Sequence, residues 1–186
     1  MASVSGFLEK RLRLKVNRQK SAVAPAGERQ FLGHRLLADG SPGIAPKSIA
    51  RAKDRLRKIT RRNRGVPLAR MIAEANAFTT GWVTYFRYAK ARSALRNLDG
   101  WLRRKLRCVR LKQCKRASTI AAFLKGNGVG GERAWTTAAS GKGWWCMART
   151  PAAQEAMTIA WFASQGLVSL AVRHDESKAA GNRRIR

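Results

Sequence analysis

The side chains that could do chemistry on this chain are overwhelmingly cationic, and they recur at helical spacing. Arg51, Arg55, Lys58 and Arg62 follow one another at intervals of four, three and four residues, opposite an apolar stripe of Ile49, Ala52, Leu56 and Ile59. At about 100° per residue, Arg96, Arg103, Arg107 and Arg110 fall on one flank of a second predicted helix, clear of Leu98, Leu102, Leu106 and Val109. From residue 47 to 116 there are 22 Lys and Arg against three acids, Asp54, Glu74 and Asp99, which places +19 of the formal +29 in this stretch. Like charges one helical turn apart repel by a few tenths of a kcal/mol per pair, and only Asp54 can relieve the first row. The expected partner is therefore a polyanion, contacted by Arg51, Arg55, Lys58, Arg61, Arg62 and Arg64, by Arg87, and by Arg96, Arg103, Arg104, Arg107, Arg110, Lys112, Lys115 and Arg116. Tyr88 is the best candidate for stacking on a base.

Other chemistries lack their groups. Two-metal polymerisation or nucleolysis needs clustered carboxylates, and the ten acids are scattered, with only Asp175 and Glu176 adjacent. Cys108 and Cys114 have five residues between them, Cys146 is distant, and His34 and His174 stand at opposite ends, so no zinc site, no other metal and no cofactor is expected. His34 reads as a turn or surface residue rather than a base. Gly126, Gly128 and Gly131 match G-x-G-x-x-G literally, but they follow the helical AAFLK rather than a strand, which marks a connector and not a dinucleotide site. Three cysteines without a close pair fit a reducing compartment. The first residues lack an apolar signal core, and no apolar run reaches the ~18 residues of a membrane span. A cytoplasmic protein without a membrane partner is expected.

The elements that position these residues are mainly α-helical. FLEKRLRLK reads as a short basic helix passing into a strand at VNRQKSAV, and DGSPGIAP as a loop. The helix of Ile49 and Leu56 follows, and Pro67 opens another that runs past Trp82 and Phe86 towards Lys90. Trp82, Tyr85, Phe86 and Ala89 form its buried stripe, Trp101 is also assigned to the core, and Gly81 admits a close neighbour. Ala117 to Ser140 reads as two short helices, and GKGWWCMARTP as a turn with buried indoles. Thr150 and Pro151 then start a helix to Ser164, which Gly166 stops. LVSLAV and a disordered basic tail, SKAAGNRRIR, complete the chain.

GWVTYFRYA, LDGWLRRKLRCVRLKQCKR, AWTTAASGKGWW and RTPA, in that order, resemble the maturase-specific domain of group II intron reverse transcriptases. LEKRLRLKVNRQKSAV followed by RQFLGHRL resembles the end of the palm of the same family, with Phe31, Leu32, Gly33 and His34 where the family carries FLGF. The resemblance covers roughly residues 7 to 174. It implies a palm remnant at 1–45 (helix, strand and FLGH turn), thumb-like basic helices at 46–116, the remainder of the maturase-specific domain at 117–175 and a basic tail at 176–186. It also implies binding of group II intron RNA and help with its folding and splicing. The family's Tyr-x-Asp-Asp aspartates have no counterpart in this sequence, so the chain is expected not to be an enzyme. Two alternatives stay open: the carboxy-terminal half of a split or truncated reverse transcriptase that complements a separate palm and grips a template-primer duplex, or a general DNA-binding module.

Overall fold

The hydrophobic stripes find one shared centre, a cluster that runs from Ile44 through the leucines of the longest helix to Leu170 and Ala171. The computed structural model describes residues 2–17 and 25–183. Among these, α1 (Ala2–Lys10) is followed by a three-stranded antiparallel sheet of β1 (Gln30–Phe31), β2 (His34–Leu36) and β3 (Pro42–Ile44), in that order. Nine helices follow: α2 (Pro46–Ile59), α3 (Leu68–Tyr85), α4 (Arg92–Gln113), α5 (Ala117–Gly126), α6 (Gly131–Ala138), α7 (Trp144–Met147), α8 (Pro151–Ala156), α9 (Ile159–Ser164) and α10 (Leu170–Arg183). The fold is mainly α, as the sequence predicts.

The amino-terminal elements differ from expectation. The first helix ends at Lys10, Arg13 takes a φ of 52°, and Val16 and Asn17 form no strand; residues 18–23 of the expected strand lie outside the described residues. Among the described residues, the first strand stands at the FLGH sequence. Leu32 and Gly33, with φ of 48° and 78°, make the two-residue turn that pairs Phe31 with His34, a hairpin geometry that needs positive φ at both positions. A Cβ on Gly33 would lie 2.8 Å from Ser48 Oγ, so the turn also depends on close approach to α2, where Ser48 Oγ donates to the Gly33 carbonyl at 3.0 Å. The expected loop at 39–46 contains β3, paired with β2 at His34 and Ile44, Arg35 and Gly43, and Leu36 and Pro42. Pro42, which lacks an N–H, stands at the strand's first position, and its carbonyl accepts from Lys90 N at 2.7 Å.

The helices follow their stripes with three corrections. α2 begins at Pro46 and buries Ala52, Leu56 and Ile59, with Ile49 half-buried, but it ends where the Thr60 hydroxyl donates to the Leu56 carbonyl at 2.7 Å. Arg61 and Arg62 therefore lie beyond the helix, and the regular row stops at Lys58. α3 ends at Tyr85 rather than near Lys90. Val83, Phe86 and Ala89 are buried and Trp82 is half-buried, whereas Tyr85 is 56% exposed and donates its hydroxyl to the Leu32 carbonyl at 2.8 Å. A Cβ at Gly81 would meet no neighbouring element within 4 Å, so the expected close contact is not made there. The predicted helix from Pro151 to Ser164 is two helices. Thr150 caps α8, accepting from Ala153 N at 3.3 Å, but Met157 leaves helical geometry and Thr158 caps α9, accepting from Trp161 N at 3.1 Å.

The two glycine stops behave alike. Gly128 and Gly166, at φ of 90° and 83°, close α5 and α9 by returning the next residue's N–H to the penultimate turn: Val129 N to Leu124 O at 3.1 Å, Leu167 N to Phe162 O at 2.9 Å. The expected disordered tail is α10 as far as Arg183, packed against α3 and α4. Its start is held from a distance. The Asp99 carboxylate, 4% exposed on α4, accepts from Ser169 Oγ at 2.7 Å, Leu170 N at 2.9 Å and Ala171 N at 3.2 Å, which satisfies N–H groups that a helix start leaves open.

Candidate nucleic-acid interface

α4 is the scaffold of the charged surface, and its two flanks carry different cations. Leu95, Leu98, Leu102, Leu106 and Val109 face the core. On one flank stand Trp101, Lys105 and Lys112. Arg103, Arg107 and Arg110 stand roughly 160° away around the helix, on the helical geometry of 100° per residue. The flank of Trp101 meets the end of α2. Lys53 Nζ, the Arg57 guanidinium and Lys105 Nζ lie 5.9, 5.6 and 5.7 Å from the Trp101 ring centroid, a half-buried indole in a cationic setting.

Where α2 ends, this surface becomes concave. A cleft of about 510 Å³ is lined by Arg57, Thr60, Arg61, Arg62, Asn63, Lys105, Lys112 and Trp144. Five of the eight lining residues are cationic and none is acidic; Arg57 also pairs with Asp54 on its own helix. Burial, and then the neighbouring charges of Arg57 and Arg62, push the Lys105 ammonium below its usual pKa against an opposing effect of Cys108. The Cys108 thiol is pushed up by burial, which outweighs the nearby Arg62, Lys105 and Arg104, and its Sγ donates to the Trp144 carbonyl at 3.3 Å. It is a packed thiol and not an activated one.

The remaining cations sort by what they touch. Arg51 and Arg55 are exposed and line a second groove, of about 610 Å³, with Phe78, Trp82, Tyr85 and Phe86; Lys58 is exposed nearby on the same helix. Arg64 is tied down, with a two-point contact to Glu74 at 2.7 and 3.0 Å and a bond to the Ile59 carbonyl at 2.6 Å. That contact raises the Arg64 pKa and lowers that of Glu74. Arg87 lies 4.8 Å over the ring of exposed Tyr88. Arg96, Lys115 and Arg116 are exposed, and Arg103 is half-exposed. Arg104 donates through Nε and Nη2 to the Trp145 carbonyl at 3.1 and 2.7 Å and covers the Trp145 ring at 3.7 Å. Arg107 donates through the same two nitrogens to the Met157 carbonyl at 3.1 and 2.9 Å. Arg110 lies 4.3 Å over Phe123.

The structure therefore brings Arg61, Arg62 and Lys112 to one concavity, whereas Arg51 and Arg55 line the second groove and Arg107 and Arg110 meet Met157 and Phe123. α2 meets α4 on the flank of Trp101 and Lys105, so its cations do not share a flank of α4 with Arg103, Arg107 and Arg110. Sequence reasoning missed Arg57, Lys105, Asn63, Trp144 and the exposed face of Trp145. The spacing of Trp101, Lys105 and Lys112 was the available signal.

Residues 49–125 match the group II intron, maturase-specific domain. This maturase-like segment starts within α2 and ends within α5, so it supplies every lining residue of the cleft except Trp144. No curated protein was found to match the chain. Among the described residues, no group of three or more His, Cys, Asp or Glu could hold a metal ion, and no helix is long and apolar enough to cross a membrane.

Proposed function

We propose that the protein binds group II intron RNA and assists its folding and splicing, with the RNA supplying the reacting groups. The observation that carries this reading is the coincidence of the maturase-like segment with the cationic cleft: 49–125 provides Arg57, Arg61, Arg62, Lys105 and Lys112 around one concavity. A folded ribozyme packs phosphates closely, and the cleft offers them Arg57, Lys105 and Lys112 on α2 and α4 together with Arg61 and Arg62 in the turn that follows α2. Exposed Arg51, Arg55, Lys58, Arg96, Lys115 and Arg116 extend the field around the cleft.

The test compares a folded group II intron with an RNA duplex of equal length at matched salt, alongside the rate of splicing with and without protein. Tighter binding to the intron and faster splicing are expected. If about 6 to 10 phosphates are contacted, affinity falls by on the order of 10³ to 10⁵ between 50 and 200 mM salt. Equal affinity for the two RNAs would reduce the protein to a polycation and remove the reading. One observation favours the split reverse transcriptase as a second reading. The hairpin leaves Phe31, Leu32 and Leu36 exposed together around a concavity of about 450 Å³, a surface suited to a further protein element. Polymerase activity that appears only when a separately produced palm is added would select it.

A further inference from the structure

The cleft has a neighbour that plain phosphate neutralisation does not use. Trp145 is 39% exposed, although an indole is among the most favourable side chains to bury. Its ring is held in place before any ligand arrives: Arg104 covers it at 3.7 Å and is itself fixed by two bonds to the Trp145 carbonyl. Lys105 joins this ring to the cleft, with Nζ 5.1 Å from the Trp145 centroid while the same side chain lines the concavity. Trp144, the adjacent residue, lines the cleft as well. A cationic concavity and a preset aromatic surface thus lie side by side.

A regular RNA duplex fits this pair poorly. Its phosphates run along a convex edge and its bases are stacked inside, so it offers the cleft a tangent and offers Trp145 nothing. An unpaired nucleotide offers both parts, since its base is free to stack and its backbone can bend inward. A volume of about 510 Å³ falls in the range of sites that enclose one small ligand group. We propose that the cleft and Trp145 together form a site for a single unpaired nucleotide of RNA, its phosphate among Arg57, Arg61, Arg62, Lys105 and Lys112 and its base stacked on the face of the indole opposite Arg104. The proposal takes the class of polymer from the maturase reading and adds which structural feature of that RNA is gripped. The pKa of Lys105 is lowered first by burial and further by the charges of Arg57 and Arg62, and an anion in the concavity would offset both.

Three hairpin RNAs test it with the full chain at one salt concentration: one with a single bulged nucleotide, one with an abasic residue at the bulge, and one fully paired. The bulged hairpin is expected to bind roughly tenfold or more tightly than the other two, in the range of base stacking on an aromatic side chain. Trp145→Ala should bring the bulged hairpin down to the affinity of the abasic one, while Trp145→Phe retains most of the margin. Lys105→Gln combined with Lys112→Gln should weaken all three. Equal wild-type affinities for the three hairpins, or a Trp145→Ala loss of the same size on each, would overturn the proposal. The intron comparison keeps the two readings apart. A bulge margin without intron preference leaves the nucleotide site standing and removes the maturase reading; intron preference without a bulge margin removes the site alone.

Discussion

Arg107→Gln should lower stability and leave RNA affinity nearly unchanged, although Arg107 belongs to the arginine row that spacing alone assigns to RNA. Its guanidinium is half-buried, bonded twice to the Met157 carbonyl at the break between α8 and α9, and 5.7 Å from the Phe162 ring. Met157 is fully buried with Arg107 in place, so its carbonyl relies on these two donors. Hydrogen bonds from a charged donor contribute about 1.5–3 kcal/mol, and the ring contact about 0.5–1. Against this, burial and then the nearby Arg103 push the Arg107 pKa down, so removing the charge recovers part of the loss. A net cost of about 2 kcal/mol is expected. For a chain of this length that corresponds to a fall in Tm of about 4–8 °C. Thermal unfolding followed by tryptophan fluorescence reads the effect, with RNA affinity measured well below both transitions. Arg107→Lys, which cannot make the forked contact, should lose a substantial part of the same stability. Arg96→Gln, exposed on the same flank, should melt like wild type. An unchanged Tm with a clear loss of RNA binding for Arg107→Gln would refute the structural role.

Asp99→Ala should cost about 3 kcal/mol, from a lost cap of about 1 and orphaned buried donors of about 1–3, and limited proteolysis should cut α10 first; an unchanged cleavage pattern would contradict the remote cap. Lys105→Gln should melt at or above the wild-type temperature while weakening RNA binding, because it removes a charge that burial and its neighbours disfavour; a lower Tm would mean that the ammonium supports the fold. Asp39, held low by hydrogen bonds from Lys90 and Ser41, and Glu74, held low by Arg64, bind protons less readily when folded than when unfolded. Their support is therefore complete above the ordinary carboxylate range and is lost as pH falls through their depressed folded values. Glu74→Gln should flatten the acid limb of a stability-against-pH curve and leave the neutral region nearly flat.

What the sequence reveals here is local periodicity, and what it conceals is which side of a helix another element crosses. The stripes of α2 and α4 are legible because 100° per residue places Leu56 with Ile59 and Leu102 with Leu106. The same arithmetic puts Arg103, Arg107 and Arg110 on one flank, but it cannot say that α2 meets the flank of Trp101 and Lys105. Arg62 fits the helical row by spacing, yet the Thr60 hydroxyl closes α2 first and Arg62 becomes a cleft residue. α10 is hidden for a different reason. SKAAGNRR has little apolar content, and the helix start depends on Asp99, some 70 residues earlier, and on buried His174, whose Nε2 lies 3.2 Å from the Phe86 carbonyl. The break at Met157 was more accessible, since a Thr at 158 competes with helix continuation by offering a cap.

The arginines and lysines divide by whether the fold already uses them. Arg64, Arg104 and Arg107 satisfy a carboxylate or a backbone carbonyl, so handing their donors to a phosphate would leave Glu74, Trp145 O or Met157 O to be satisfied elsewhere. Among the described residues, no carboxylate pairs with Arg61, Arg62, Lys105 or Lys112, which stand around one concavity. Their mutual repulsion is a cost in the free protein, and an anion removes it. The residues best placed to bind RNA are thus the ones whose replacement the fold tolerates or welcomes, while the residues that spacing marks most plainly are partly bolts between helices. A charge-removal series separates these sets because it moves stability and affinity in opposite senses for Lys105 and moves stability alone for Arg107.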